Sequence, residues 1–255
     1  LTRYLFIGGL HRSGTSLLAR LVAAHPSIAA ISGSPAPENE GCYLQGAIPH
    51  TAMHGRPMHF ATDPDQHLIE GCRHDSLAVR QRMEFDWGPW FGDDAPWRLE
   101  KSPVNLTRMR LYQQLFPMSQ FVVILRHPEL VAAAVSKWVE GPPAKLVDHW
   151  IEAHDQLLGD LPFLHAVCVI RYEDLCRAPE QTVRGIHEFM GLEPKSPEPE
   201  TVRNGNADYD QPTGLGATLR DWQYAPGGEA RPWRPIVRHP LRSLRERSLA
   251  TLSIG

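Results

Sequence analysis

The sequence predicts an α/β fold, with a mostly parallel central sheet flanked by helices. Three observations carry that expectation. Short apolar runs that read as strands alternate with segments of helical periodicity along most of the chain. One of these runs, Phe121-Val122-Val123-Ile124-Leu125, is apolar without interruption, as a central parallel strand covered on both faces must be. The first run, Tyr4 to Ile7, passes through a glycine-bearing loop into a helix, the strand–loop–helix unit that cradles phosphate.

That first loop reads Gly8-Gly9-Leu10-His11-Arg12-Ser13-Gly14-Thr15-Ser16, and its helix continues through Leu17-Leu18-Ala19-Arg20-Leu21-Val22-Ala23-Ala24. Successive inward-facing N–H groups and the positive end of the helix make an anion site. The spacing Gly9-x-x-x-x-Gly14-Thr15-Ser16 is that of a P-loop, but Thr15 stands where a nucleoside triphosphatase carries lysine. The cationic role passes to Arg12, inside the loop. The helix ends at His25-Pro26, because proline disfavours helical geometry at the residue before it. A turn-rich stretch bounded by Pro35, Pro37 and Gly41 then carries two carboxylates, Glu38 and Glu40. If this stretch is extended, the two side chains point the same way, and spacing does not separate them.

Residues 46–98 are irregular in pattern, with scattered prolines and one helical segment from Ser76 to Phe85. Long irregular segments in compact domains are usually lids or insertions, so this one is expected to wall a ligand site. The alternative is that Trp87, Trp90 and Trp97 plug the core edge. Trp97 to Lys101 reads as a strand and is followed by a helix from Leu106 to Phe116. Taken alone, Glu100 and Lys101 read as a surface pair at the strand end.

The strand Phe121–Leu125 ends in Arg126-His127-Pro128, and a helix runs from Glu129 to about Glu140. Proline at a helix start beside an arginine makes a second candidate anion site. A helix from Ala144 to Leu158, a strand from Ala166 to Ile170, the segment Tyr172-Glu173-Asp174-Leu175 and a helix from Pro179 to Met190 complete the regular part. From Glu193 the composition turns to proline, glycine and arginine. Residues 193–255 read as irregular until a basic amphipathic helix at Leu241 to Leu252.

A chain of 255 residues suffices for one domain spanning 1–255. The net charge of −3 gives no general basic field, so no nucleic-acid partner is expected. No apolar run approaches the roughly 18 residues of a membrane span, and no signal peptide is visible. The four cysteines, Cys42, Cys72, Cys168 and Cys176, form no Cys-x-x-Cys pair, which fits reduced thiols and a cytoplasmic setting. His50, His54 and His59 lie among glycines and prolines with no helical face to align them, so no metal is expected. The first residue is leucine, which leaves open a trimmed terminus or a larger parent protein.

Four segments together resemble the sulfotransferases that use 3′-phosphoadenosine-5′-phosphosulfate (PAPS). Arg12-Ser13-Gly14-Thr15-Ser16-Leu17 is similar to the family's first loop, which holds the 5′-phosphosulfate. Glu38-Asn39-Glu40-Gly41-Cys42-Tyr43-Leu44-Gln45 matches a Glu-x-Glu-Gly-x-x-Leu-Gln segment of one branch, where a glutamate returns to the active site as general base. Glu100-Lys101-Ser102-Pro103 resembles the segment whose lysine contacts the sulfate bridge. Arg126-His127-Pro128 has the form of the motif that binds the 3′-phosphate. The family usually carries serine at the position of Ala134, and Ser136 lies about 200° away on a helix, a poor substitute. Tyr172-Glu173-Asp174-Leu175 is common in the family and is expected to be structural. Gly214 to Trp222 loosely matches a late loop that folds over the nucleotide.

The resemblance spans residues 4–45, 97–138 and 166–192 and implies a P-loop-like, three-layer sulfotransferase architecture. The implied reaction is sulfuryl transfer from PAPS to an acceptor hydroxyl or amine, without a metal. Glu40 ahead of Glu38 would be the base, and Lys101 and Arg12 would stabilise developing charge. His11, Arg12, Ser13, Gly14, Thr15, Ser16, Leu17 and Arg126 would hold the donor. The acceptor could be a small molecule, glycan, lipid or peptide, and the oligomeric state is not readable. Two alternatives stand beside this one. The first is a P-loop kinase or hydrolase, which would need magnesium on Ser16 and an acidic strand end that no strand supplies. The second is a non-catalytic nucleotide-binding module, which Ala134 favours.

Overall fold

A computed structural model describes residues 2–49, 58–92, 94–196, 202–209 and 212–254. The chain opens with β1 (Arg3–Gly8), crosses the glycine loop and enters α1 (Thr15–Val22), followed by the short β2 (Ile28–Ala30). After a loop region comes α2 (Leu77–Trp87), whose cap Ser76 accepts from the Val79 N–H through its Oγ. Next are β3 (Trp97–Lys101), a 3-10 turn at Pro103–Thr107 and α3 (Met109–Leu115). β4 (Gln120–Leu125), α4 (Pro128–Val135) and α5 (Pro143–Asp160) lead to β5 (Val167–Arg171). The chain closes with α6 (Tyr172–Arg177), α7 (Pro179–Phe189), the small hairpin β6 (Tyr224–Ala225) and β7 (Glu229–Ala230), β8 (Ile236–Arg238) and α8 (Arg242–Leu252).

Six strands form one sheet in the order β2-β3-β1-β4-β5-β8. Every neighbouring pair is parallel except β5 with β8, so the α/β expectation holds. β4 is buried at every residue, as its uninterrupted apolar run required. Side chains of β1 alternate between the two faces. Tyr4 and Phe6 join α2, α3, α4 and α5 in one apolar layer, while Leu5 and Ile7 join α1, α7 and α8 in the other. Phe6 packs against Tyr112 at 4.7 Å and Phe121 at 5.8 Å between ring centroids, anchoring the first layer.

Several boundaries differ from those the pattern suggested, each for a local reason. The helix expected from Leu106 to Phe116 splits at Arg108, whose backbone (φ −121°, ψ 0°) is not helical. α4 stops at Val135 rather than near Glu140, and Ser136 caps it. β2 and β8 were not announced by the sequence, and β8 rescues part of the 193–255 stretch as an edge strand. Trp87 and Trp97 are core residues, as the plug alternative held, and Trp90 packs beside them only partly buried.

The parallel register decides where chemistry can occur. Ile7 pairs with Lys101 and Gly8 with Val123, so β1, β3 and β4 end along one edge of the sheet. The glycine loop, Lys101 and Arg126 all leave from that edge, where open α/β sheets bind their ligands.

Candidate active site

The glycine loop makes a tight turn in which the Ser13 N–H donates to the Leu10 carbonyl at 3.1 Å. Gly14 sits at φ +98°, and a Cβ there would lie 2.6 Å from the Tyr172 ring, so both backbone and space demand glycine. Arg12 also adopts positive φ, at 68°, and lays its guanidinium over the Trp138 ring at 5.2 Å. Ser13 is fully buried, yet among the described residues its Oγ has no hydrogen-bond partner, and neither does Nδ1 of His11. Burial, helped by the charge of Lys101, lowers the His11 pKa to about 4, which leaves its ring neutral at pH 7.

Arg126, just past the end of β4, is buried and held on two sides. Its Nε donates to Asn206 Oδ1 at 2.7 Å and its Nη1 to the Arg12 carbonyl at 2.8 Å. The guanidinium stacks over Tyr172 at 4.7 Å, and Nη2 has no partner among the described residues. The surrounding carboxylates tie distant segments to this point. Glu129, in the first turn of α4, accepts from the N–H groups of Leu215, Gly227 and Gly228 at 3.0, 2.8 and 2.8 Å. Glu173 accepts from the His127 N–H, the Asn206 amide and the Tyr224 hydroxyl. Ala134 is fully buried, and the exposed Ser136 spends its hydroxyl on the Ala133 carbonyl at 2.8 Å.

The carboxylate loop is not extended. Pro37–Asn39 form a 3-10 turn in which Glu38 and Asn39 take positive φ of 51° and 54°. That turn breaks the two-residue alternation: Glu38 is exposed, whereas Glu40 is 8% exposed and points inward. Glu40 Oε1 meets Lys101 Nζ at 3.1 Å. Burial raises the Glu40 pKa above the ordinary 4.5, with Lys101 opposing the shift.

Glu100 and Lys101 are not a surface pair. As strand neighbours they point to opposite faces, and both are buried. Glu100 accepts from the Gly41 N–H at 2.9 Å, the Asn105 amide at 2.6 Å and the Ser102 hydroxyl.

A cleft of about 460 Å³ collects most of the residues singled out from the sequence: His11, Arg12, Gly14, Thr15, Ser16, Leu17, Glu38, Glu40 and Arg126. Lys101 borders an adjoining groove of about 580 Å³ that shares Ser16 and Glu38 with the cleft. Ser13 lies buried behind the loop. Sequence reasoning missed Trp138 and gave Tyr172 only a structural role, yet both line the cleft. The aromatic at the end of α4 and the tyrosine directly after β5 were the available signals. Among the described residues, no group of His, Cys, Asp and Glu could hold a metal ion, and the cysteines are free. His50 and His54 lie outside the described residues. No helix of the described residues is long and apolar enough to cross a membrane.

A glycine-loop cradle beside His11 and Arg126, each with a buried nitrogen that has no partner among the described residues, fits an anionic ligand. A family model described as the sulfotransferase family matches residues 5–196, and the chain belongs to that family. Among solved structures, it is similar to a sulfotransferase from Alicyclobacillus acidocaldarius, at 17% identity over 80% of this chain and 87% of that one, with a TM-score of 0.49. It is also similar to the sulfotransferase domain of the Synechococcus PCC 7002 olefin synthase, at 17% identity over 84% and 85%, TM-score 0.47. A sulfotransferase domain from the curacin biosynthetic pathway matches at 18% identity over 100% and 99%, TM-score 0.47. No curated protein matches.

Proposed function

We propose that the chain transfers a sulfuryl group from PAPS to an acceptor hydroxyl or amine, with Glu40 as general base. The observation that carries this is a single cleft joining a P-loop that lacks lysine, the inward-facing Glu40, and an arginine whose Nη2 has no partner among the described residues. In the transfer, the donor's sulfur–oxygen bond breaks and adenosine 3′,5′-bisphosphate leaves, a bond forms from sulfur to the acceptor oxygen or nitrogen, and the acceptor proton passes to Glu40. A buried carboxylate with a raised pKa holds that proton more readily than an exposed one would.

Arg12 and the loop N–H groups would take the 5′ end of the donor, with the Ser13 hydroxyl and the neutral His11 ring behind them. Arg126 Nη2 would take the 3′-phosphate. Lys101 would offset negative charge that develops on the leaving bisphosphate. Residues 46–98, of which 50–57 and 93 lie outside the described residues, would wall the acceptor site, and the segments that Glu129 anchors would cover the nucleotide. The whole chain would act as one domain. The donor supplies the activated sulfate, and the scheme needs no metal.

The test is a calorimetric comparison of adenosine 3′,5′-bisphosphate with ATP–magnesium. The bisphosphate should bind and ATP–magnesium should bind far more weakly. Tighter binding of ATP–magnesium would overturn the proposal.

A further inference from the structure

We infer that Glu100 and Trp87 are positioning residues, which hold Glu40 at the cleft by gripping both polar groups of Gly41. The inference takes from the proposed function only the proton that Glu40 accepts, and the grip itself stands on geometry.

Gly41 follows Glu40 directly, and its N–H belongs to the peptide that joins the two residues. That N–H donates to Glu100 Oε1 at 2.9 Å. The Gly41 carbonyl accepts from Trp87 Nε1 at 2.8 Å. Both partners are fully buried, one from β3 and one from the last turn of α2. The next peptide is held as well, because the Cys42 N–H donates to Ser102 Oγ at 3.1 Å and that hydroxyl bonds Glu100. A Cβ on Gly41 would lie 2.7 Å from Glu100 Cγ and 2.8 Å from Trp87 Nε1, so only glycine lets the two grips close together.

β3 thus holds the loop at two successive residues, from opposite faces of the strand. Lys101 takes the carboxylate of Glu40, and Glu100 takes the backbone that follows it. The loop needs this restraint because Glu38 and Asn39, just upstream, sit in the left-handed region, which non-glycine residues keep only when their surroundings fix them. Trp87 reaches no reacting atom. It belongs to the apolar layer under the sheet, so its N–H links the packing of α2 to the place of the base.

Two variants test the inference, Trp87→Phe, which keeps an aromatic ring and removes the N–H, and Gly41→Ala, which forces the grips apart. The first readout is the titration of the Glu40 carboxyl by carbon-13 NMR, assigned by its loss in Glu40→Gln. Both variants should move that titration toward the ordinary carboxylate value, while adenosine 3′,5′-bisphosphate affinity stays within about twofold. The second readout is PAPS consumption with p-nitrophenol as probe acceptor. A displacement of 1 Å can cost on the order of 10²-fold, so a loss of about tenfold is expected in Trp87→Phe. In a Glu40→Gln background, Trp87→Phe should cost nothing further. An unchanged Glu40 titration in both folded variants would overturn the inference, as would an equal loss of turnover in the two backgrounds. If Glu40→Gln keeps full turnover while Trp87→Phe still moves the titration, the base assignment fails and the grip stands.

Discussion

Arg126 offers the sharpest measurement, because the structure says how much of its side chain is left for a ligand. Nε is spent on Asn206 and one N–H of Nη1 on the Arg12 carbonyl, while Nη2 has no partner among the described residues. One charge-assisted hydrogen bond contributes about 1.5–3 kcal/mol. Arg126→Ala should therefore weaken adenosine 3′,5′-bisphosphate roughly 10- to 150-fold. The variant also removes a brace from the glycine loop, through the Arg12 carbonyl, so binding could fall for a second reason. AMP separates the two, since it shares the 5′-phosphate and lacks the 3′-phosphate. Calorimetry on both nucleotides should give a large loss for the bisphosphate and a small one for AMP. Arg126→Lys keeps the charge without the planar fork, and its bisphosphate affinity should fall between wild type and alanine. Equal factors for the two nucleotides would refute the reasoning, and Arg126 would then be a brace alone.

Glu40→Gln should lower turnover roughly 10²- to 10⁴-fold without weakening bisphosphate binding, and Glu38→Gln should cost about tenfold at most. If Glu38→Gln is the dead variant, the base moves by two residues. The rate should fall on the acid side as pH drops through the raised pKa of Glu40, because the base must be ionised, so the inflection should lie above 4.5. Lys101→Ala should lower turnover more than donor affinity and move that acid limb to higher pH, since the ammonium opposes the upward shift. A limb that stays in place would mean the two are not paired in solution. Gly14→Ala should destabilise the fold by about 2 kcal/mol or more, read by urea unfolding, through backbone strain and the clash with Tyr172.

The parts of this molecule that were legible in the sequence are those written in contiguous residues. β4 announced itself as an unbroken apolar run, and the glycine loop as a fixed spacing between a strand and a helix. Resemblance to known motifs supplied Glu40, Lys101 and Arg126. β2 escaped because it is three residues long and two of them are alanine, too little pattern to stand out. Glu100 was misread for a different reason. A Glu-Lys pair at a strand end looks solvated until the chain returns Gly41 to it across 59 residues. Glu38 and Glu40 were inseparable because nothing in a Glu-Asn-Glu string signals positive φ, which the fold imposes from outside. Arg126 was visible, but its occupancy was not, since Asn206 lies 80 residues further on.

The pairing of Lys101 with Glu40 has a consequence for how the site works. A lysine inside a P-loop is committed to phosphate throughout, whereas Lys101 is paired with Glu40 at 3.1 Å. On the proposed scheme, ionised Glu40 holds Lys101 in an ion pair while the acceptor is positioned. When Glu40 takes the proton it becomes neutral, and the charge of Lys101 is released toward the oxygens that are becoming negative. Unit charges 4 Å apart interact by about 4 kcal/mol at an effective dielectric of about 20, so the released attraction is large enough to matter for a barrier. Base strength and leaving-group stabilisation are then one variable, not two. Glu40→Gln removes the proton acceptor and also leaves Lys101 permanently unpaired, facing the nucleotide. The same variant should consequently bind adenosine 3′,5′-bisphosphate more tightly than wild type while its turnover collapses. A base that acted independently of Lys101 would lose turnover with affinity unchanged.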